Sequence, residues 1–182
     1  MRSDSITAPL TARVHQTLRA IPDYPKPGIL FQDITPVLRD GPLLQEVIAE
    51  MIRPFREAEI THVVGIEARG FILGGAAALE LTAGFVPARK PGKLPWERAT
   101  ETYDLEYGSD ALEAHRDAVG PGNRVLIVDD VLATGGTAGA AGQLCRGLGA
   151  ELVGWSFLLE IAGLRGRERL RGARCHSVTA VP

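Results

Sequence analysis

Aromatic residues are scarce in this sequence, at 5% of its 182 residues. A chain with so few large rings must build its core mainly from Ala, Val, Leu and Ile, which pack closely and favour helices lying on a sheet. An excess of basic residues is also missing, because the formal net charge is -2. Since binding to DNA or RNA phosphates needs a basic surface, the composition argues against a nucleic-acid-binding protein.

Cysteines and long apolar runs are few as well. Cys145 and Cys175 have neither Cys-x-x-Cys spacing nor a neighbouring histidine, so no disulfide framework and no zinc site is predicted. No apolar run approaches the roughly 18 to 20 residues that a membrane-spanning helix needs. Residues 1–10 lack the apolar core of a secretory signal. We therefore expect a cytoplasmic protein with no membrane partner.

Hydrophobic periodicity predicts the order of the secondary structure. Apolar residues at helical spacing indicate helices at residues 10–21 and 44–55, the second ended or kinked by Pro54. Further along, short apolar runs and Ala- and Gly-rich stretches predict strands at 62–66, 84–89, 124–130 and 152–159 and helices at 71–81 and 137–149. This alternation is typical of an α/β fold with a mainly parallel, twisted sheet flanked by helices. We expect one domain over residues 1–182, with a helical turn at 164–170 and an edge strand at 175–181 to which no function is assigned.

The segment 90–108 is too long for an ordinary connection and is rich in Pro, Gly and charge. Long segments of this kind are usually lids or binding loops, so we expect a flexible lid here. Within it, Tyr103, Leu105 and Tyr107 alternate with acidic residues. This two-residue period predicts one arm of a hairpin.

The strongest functional pattern is the run 125–137, Val-Leu-Ile-Val-Asp-Asp-Val-Leu-Ala-Thr-Gly-Gly-Thr. An apolar strand ends in the carboxylates of Asp129 and Asp130, and a Gly-rich turn then leads into a helix. Backbone amides of such a turn, the hydroxyls of Thr134 and Thr137 and the helix dipole together suit a phosphate group. The run lacks the lysine of a Walker loop and the Gly-x-Gly-x-x-Gly of a dinucleotide site, so we predict a different kind of phosphate cradle.

This run resembles the phosphoribosyl pyrophosphate (PRPP) motif of the type I phosphoribosyltransferase family. The stretches 23–36, 65–71, 89–95 and 101–108 are similar to the adenine-specific members of that family. The resemblance implies the family's fold, with an N-terminal purine-binding loop and a flexible lid. It also implies transfer of a 5-phosphoribosyl group from PRPP to N9 of adenine, yielding AMP and pyrophosphate in purine salvage. Mg²⁺ carried mainly by PRPP, no protein metal ligand and a homodimer are further expectations.

The resemblance also assigns roles to individual residues. Asp129 and Asp130 are expected at the ribose hydroxyls, where carboxylates stabilise a cationic sugar in the transition state. The forked guanidinium of Arg69 suits pyrophosphate, and Glu106 matches the position that accepts the N9 proton, which makes these two the expected catalytic residues. The remaining PRPP contacts are expected from Glu67, Ala68, Arg89, Lys90, Lys93, Ala133, Thr134, Gly135, Gly136 and Thr137.

For the base, the resemblance points to Ile29, Leu30, Phe31 and Gln32, with Leu132 opposite. An apolar slot with an aromatic face suits a purine, and backbone groups can read its polar edge. Many family members have Arg where this sequence has Gln32, which argues against a side-chain role at this position and leaves a backbone role open. Another purine phosphoribosyltransferase, acting on xanthine, hypoxanthine or guanine, and a non-catalytic PRPP-sensing regulator are the alternatives that the sequence leaves open.

Overall fold

The computed structural model of the chain describes residues 8–104 and 109–182. The chain divides into two units, residues 1–47 and residues 48–182. None of the helices in the described ranges is long and apolar enough to cross a membrane.

The first unit consists of short elements around a two-stranded hairpin. In chain order they are α1 (Leu10–Thr17), β1 (Arg19–Pro22), β2 (Leu30–Asp33), α2 (Thr35–Arg39) and the start of α3 (Gly41–Ile52). Strand β1 pairs with β2 in antiparallel register, so that Ile21 faces Phe31 across the ladder.

This hairpin corrects two expectations from the sequence. The helix predicted over residues 10–21 ends at Thr17, because Leu18 already has extended backbone angles (φ -57°, ψ 143°) and Ile21 belongs to β1. The predicted loop around Leu30, Phe31 and Gln32 is strand β2. Both errors have one cause: antiparallel pairing between the two arms of this hairpin overrides weak local patterns.

The second unit contains the parallel sheet and a separate hairpin. Its elements follow a 3₁₀ turn at Arg53–Phe55 and are β3 (His62–Ile66), α4 (Arg69–Leu81), β4 (Gly84–Ala88), β5 (Arg98–Asp104), β6 (Ser109–His115), β7 (Arg124–Leu132), α5 (Gly136–Gly147), β8 (Glu151–Ile161), 3₁₀ turns at Ala162–Leu164 and Gly166–Arg169, and β9 (Arg174–Val181). Five strands form the sheet in the order β4-β3-β7-β8-β9, and every neighbouring pair is parallel. The strands predicted at 62–66, 84–89, 124–130 and 152–159 are therefore confirmed to within two residues, as is the edge strand near the C-terminus.

The core of this unit lies between α5 and the central strands. Val125, Leu126, Ile127 and Val128 of β7 are fully buried, which explains their unbroken apolar run. Trp155 of β8 packs in the same core and donates a hydrogen bond from Nε1 to the carbonyl oxygen of Ala138 at 3.0 Å. The ring thereby fixes the first turn of α5 against the sheet.

The expected long loop is in part a β-hairpin. Strand β5 begins at Arg98 and pairs with β6 in antiparallel register, so only the first part of the segment 90–108 lacks regular structure among its described residues. Strand β6 was missed from the sequence because only three of its residues are apolar. Leu112 and Ala114 nevertheless bury fully in the core of the unit.

Candidate active site

The predicted phosphate cradle forms at the carboxyl end of β7. A cavity of about 80 Å³ is lined by Asp129 and residues 131–138, which is the position where parallel α/β sheets bind ligands. Gly135 is the N-cap of α5 and has φ +79°, a left-handed conformation that glycine adopts without steric cost. The turn and the free amides of the first helical turn therefore surround a space suited to an anion.

The two carboxylates beside the cradle differ in environment. Asp130 is buried, at 6% exposure, and forms an ion pair with Nε of Arg69. Burial, followed by the neighbouring Asp130 carboxylate, raises the pKa of Asp129 well above the usual carboxyl range. The structure therefore brings together Arg69, expected at pyrophosphate, and Asp130, expected at the ribose, and leaves Asp129 with a strong tendency to hold a proton.

The turn 67–70 joins β3 to α4 and lies directly against the acidic pair. The Glu67–Ala68 peptide bond is cis, and Ala68 precedes the first residue of the helix. A Cβ placed on Gly70 would lie 2.7 Å from Oδ1 of Asp129 and 2.9 Å from the carbonyl oxygen of Val128. Only glycine allows this approach, so Gly70 lets the turn and the end of β7 share one site.

The predicted basic residues gather around the carboxylate of Glu67. Nε of Arg89 and the backbone amide of Lys90 donate to it at 3.2 and 3.1 Å, and Nζ of Lys93 forms an ion pair with its other oxygen. Burial opposes ionisation of Glu67, but the hydrogen bonds from Lys93, Lys90 and Arg89 outweigh it and lower the pKa of the carboxyl group. Glu67 thus acts as an internal anion for the cations expected at pyrophosphate.

The side-chain nitrogen of Lys90 contacts different partners, Tyr103 and Asp110, which the sequence did not predict. Its Nζ forms an ion pair with Asp110 and donates to the hydroxyl of Tyr103 at 2.8 Å. The Tyr103 hydroxyl donates to Asp110 at 3.1 Å and accepts from Oγ1 of Thr137 at 3.1 Å. This chain of contacts connects the β5–β6 hairpin to the phosphate cradle. Its only sequence signal was the alternation that contains Tyr103.

Glu113 is a second residue that the sequence did not single out. It is buried at 4% exposure and accepts hydrogen bonds from the amide of Gly92 at 3.0 Å and from Nε of Arg98 at 3.0 Å. Its backbone also pairs with Arg89. Glu113 therefore holds the start of the predicted lid segment to the hairpin that follows it.

The residues expected at the base lie in both units. Ile29 is 44% exposed, and Phe31 packs edge-on against Tyr24 with ring centroids 5.2 Å apart. Gln32 is half-buried in β2. In the second unit, Leu132 ends β7 and is only 1% exposed within the core. Glu106 lies outside the described residues.

Within residues 8–104 and 109–182, no three His, Cys, Asp or Glu side chains form a group that could hold a metal ion. The hard oxygen donors nearest the cradle are those of Asp129 and Asp130, and Asp130 is already partnered by Arg69.

Comparison with known proteins agrees with this arrangement. Residues 37–172 match the family described as "Phosphoribosyl transferase domain", so the fold is that of a phosphoribosyltransferase. The chain is 59% identical over 161 residues to an adenine phosphoribosyltransferase of Myxococcus xanthus, and the match covers 88% of each chain. The chain belongs to the adenine phosphoribosyltransferase family.

Solved structures show the same relationship. The adenine phosphoribosyltransferase of Rhodothermus marinus superposes with a TM-score of 0.91 at 53% identity, over 94% of this chain and 98% of that one. The enzyme of Saccharomyces cerevisiae, crystallised with adenine and an imino-altritol bisphosphate, superposes with a TM-score of 0.87 at 41% identity, over 93% and 98% of the two chains. The predicted family and fold class are therefore confirmed.

Proposed function

We propose that this protein transfers the 5-phosphoribosyl group of PRPP to N9 of adenine and releases AMP and pyrophosphate. The observation that carries the proposal is the cradle at residues 133–137 beside Asp129, which lines it, and the buried Asp130, within a chain 59% identical to an adenine phosphoribosyltransferase. In this reaction the bond from C1 of the ribose to pyrophosphate breaks, and a bond from C1 to N9 forms. The N9 proton leaves to a base.

The cradle is assigned to the 5-phosphate. Amides at the start of α5 and the hydroxyls of Thr134 and Thr137 supply donors, while Ala133, Gly135 and Gly136 let the backbone come close. Asp129 and Asp130 then lie where the ribose follows the phosphate. The carboxylate of Asp130, ion-paired with Arg69, stabilises the positive charge that develops on the sugar as pyrophosphate leaves, and Asp129 is assigned to hydrogen bonds with the ribose hydroxyls.

Pyrophosphate is assigned to the turn 67–70 and the cations near it. Arg69 offers several donors in a fixed fork, and Lys90, Arg89 and Lys93 add positive charge. Because Arg89 and Lys93 contact Glu67 in this structure, the entering pyrophosphate competes with that carboxylate. Backbone groups of Glu67 and Ala68 complete the assigned contacts.

Mg²⁺ is proposed to enter with PRPP, bound mainly by PRPP oxygens and by water, since this ion binds substrate phosphates and keeps several waters. When bound, the ion neutralises part of the pyrophosphate charge. Carboxylate oxygens of Asp129 and Asp130 are chemically suited to an ion nearby, but the ion pair of Asp130 with Arg69 occupies one of them. No protein ligand is assigned.

Adenine is assigned to Ile29, Phe31, Gln32 and Leu132, and the role of general base to Glu106. Support for these assignments comes from the similarity of the stretches 23–36 and 101–108 to the family. A backbone reading of the purine edge favours adenine, because its amino group donates where 6-oxopurines accept.

A homodimer and a cytoplasmic location belong to the same proposal. The exposed apolar side chains of Ile72 and Leu79 on α4 support the dimer. The location is supported by the charge of PRPP, because a charged substrate does not cross a bilayer and has to be used in the compartment that holds it.

One assay tests the reaction. The purified chain is incubated with PRPP and Mg²⁺ and with adenine, hypoxanthine, guanine or xanthine in turn, and nucleotide formation is followed. AMP from adenine alone supports the proposal. Product from a 6-oxopurine contradicts the base assignment, and PRPP binding without any product identifies a regulator instead of an enzyme.

A further inference from the structure

The segment after β8 packs against the back of the phosphate cradle. It consists of the 3₁₀ turn Ala162–Leu164 and a second turn, Gly166–Arg169, which we call the Gly166 turn. A Cβ placed on Gly166 would collide with the carbonyl oxygen of Ala133 and lie 3.0 Å from the amide nitrogen of Gly135. Likewise, a Cβ on Gly135 would collide with the carbonyl oxygen of Gly166. The backbone of this turn is therefore in direct contact with the backbone of the cradle.

Arg167 fastens the Gly166 turn to the edge of the sheet. Its Nε donates to both carboxylate oxygens of Glu160 at 2.8 Å, and its Nη1 donates to the carbonyl oxygen of Cys175 at 2.7 Å. Ser177 accepts from Nη2 of Arg167 at 3.1 Å and donates to Glu160 at 3.0 Å. Glu160 is 8% exposed, so the carboxylate has been taken out of water and depends on these partners.

The other end of the turn is held by Leu170, which is 6% exposed and belongs to the core. The turn thus has a polar attachment at Arg167 and an apolar one at Leu170, with Gly166 pressed against the cradle. Because the guanidinium of Arg167 is engaged by Glu160, Cys175 and Ser177, it acts through the turn rather than on a bound phosphate.

We propose that Gly166 and Arg167 are positioning residues that fix the backbone of residues 133–135 in the shape that receives the 5-phosphate. This inference rests on the proposed function, which assigns the cradle to that phosphate. Amides that are already aimed at the anion lose little freedom when it binds, and a displaced loop loses that advantage. The Gly166 turn prevents the cradle from relaxing away from the phosphate.

Gly166→Ala tests the contact, with Gly163→Ala as the matched control. Both glycines lie in the segment after β8, but a Cβ at Gly163 meets only the carbonyl carbon of Pro182 at an ordinary 3.7 Å. Calorimetry with ribose 5-phosphate and, separately, with pyrophosphate measures the two halves of the PRPP site. We expect Gly166→Ala to weaken ribose 5-phosphate about ten- to hundredfold, the scale of a loop displaced by about 1 Å. Pyrophosphate affinity and the control should match the wild type.

Arg167→Lys and Arg167→Gln form a second series, which decides the matter if Gly166→Ala does not fold. Lysine keeps the positive charge of Arg167 but not its forked set of donors. Arg167→Lys should therefore keep part of the ribose 5-phosphate affinity that Arg167→Gln loses. In both variants, the KM for adenine at saturating PRPP should stay near the wild-type value. Equally weaker binding of ribose 5-phosphate, pyrophosphate and adenine would show a general structural role and overturn the inference. Wild-type affinity in every variant would overturn it as well.

The failure of this inference can be distinguished from failure of the proposed function. If the wild type makes no AMP, the proposed function fails; if it makes AMP and the variants bind ribose 5-phosphate as it does, only the positioning role fails.

Discussion

At the scale of single residues, the site is organised by carboxylates with different partners. Asp130 forms an ion pair with Arg69, Glu67 forms ion pairs with Arg89 and Lys93, and the partly buried Asp129 lies beside another acid. A net charge of -2 for the chain conceals this local arrangement. The chemistry of the site depends on which charge each carboxylate faces.

Asp129→Asn should change how stability depends on pH. Because burial and Asp130 raise the folded-state pKa of Asp129, the folded chain binds this proton more tightly than the unfolded chain does. The stabilisation is complete below the unfolded pKa of about 3.9 and is lost as pH rises through the folded value. As the pH rises from the unfolded pKa toward the raised folded pKa, the Tm of the ligand-free wild type should therefore decline relative to that of Asp129→Asn.

Thermal unfolding at several pH values measures this difference. Asp117→Asn, at an exposed position of the same chain, serves as the control and should follow the wild type. If the Tm curves of Asp129→Asn and the wild type run parallel, Asp129 does not bind its proton more tightly in the folded state.

Glu67→Gln should strengthen pyrophosphate binding. The substitution removes the charge that holds Arg89 and Lys93, whose cationic groups are partly exposed, and ion pairs near the surface contribute about 0.2–1 kcal/mol each. We expect the Kd for pyrophosphate to fall about two- to thirtyfold, measured by calorimetry on the wild type and the variant. Glu151→Gln, which removes an ion pair with Arg124 on the neighbouring strand, should leave the Kd unchanged. Weaker binding in Glu67→Gln would show instead that the carboxylate positions the cations.

Glu106→Gln should lower kcat strongly while leaving PRPP affinity near the wild-type value. General bases contribute about 10²–10⁴-fold to rate, and glutamine cannot accept the N9 proton. Steady-state kinetics together with PRPP titration separates the two effects, and Glu101→Gln in β5 provides a comparison. Turnover like that of the wild type would remove Glu106 from the role of base.

At the scale of elements, the β5–β6 hairpin connects the start of the predicted lid segment to the cradle through side chains of both strands. Tyr103 contacts Lys90, Asp110 and Thr137, and Glu113 holds Gly92 and Arg98. The alternation at residues 103–107 predicted one arm of a hairpin; Tyr103 and Asp104 end β5, and residues 105–107 lie outside the described residues. The other arm was missed because its buried residues, Leu112 and Ala114, are too few to give a pattern.

Glu113→Ala should destabilise the folded chain. The change leaves the amide of Gly92 and the guanidinium of Arg98 without their buried acceptor, which costs about 1–3 kcal/mol. Chemical denaturation should show this loss as a lower midpoint with an unchanged slope. Glu97→Ala, whose side chain is exposed next to Arg98, should unfold as the wild type does. A midpoint for Glu113→Ala equal to that of the wild type would show that water replaces the acceptor.

At the scale of the whole molecule, the second unit presents apolar side chains that its own core does not cover. Ile72 is 52% exposed and Leu79 is 84% exposed. They are seven residues apart on α4 and therefore lie on one face of the helix. Such a face suits the second copy that the proposed homodimer requires.

Leu79→Glu should weaken that dimer. A charge at the centre of an apolar interface loses its hydration without gaining a partner. Light scattering after gel filtration should give twice the chain mass for the wild type and a concentration-dependent lower mass for the variant. Leu164→Glu, at a position 45% exposed in the segment after β8, is the comparison. Should Leu79→Glu remain fully dimeric, α4 does not form the interface.

The sequence by itself determined the family, the order in which the parallel strands follow one another along the chain, and the position of the cradle. These properties depend on residues that are contiguous in the chain, such as the buried run of β7 followed by Asp129, Asp130 and the glycine turn. Local patterns of this kind carry their own physical signal, since burial, turn geometry and helix capping act over a few residues.

Only the tertiary structure decided which distant residues meet. Each such contact joins residues that are far apart in the chain: 61 residues separate Arg69 from Asp130, and 22 separate Glu67 from Arg89. The Gly166 turn packs on Gly135, about 30 residues before it. No local pattern encodes such contacts, because they arise when the parallel strands bring their carboxyl ends to one edge of the sheet. The segment after β8 had no role in the sequence for the same reason: its contact is made by glycine backbone, which leaves no side-chain pattern to detect.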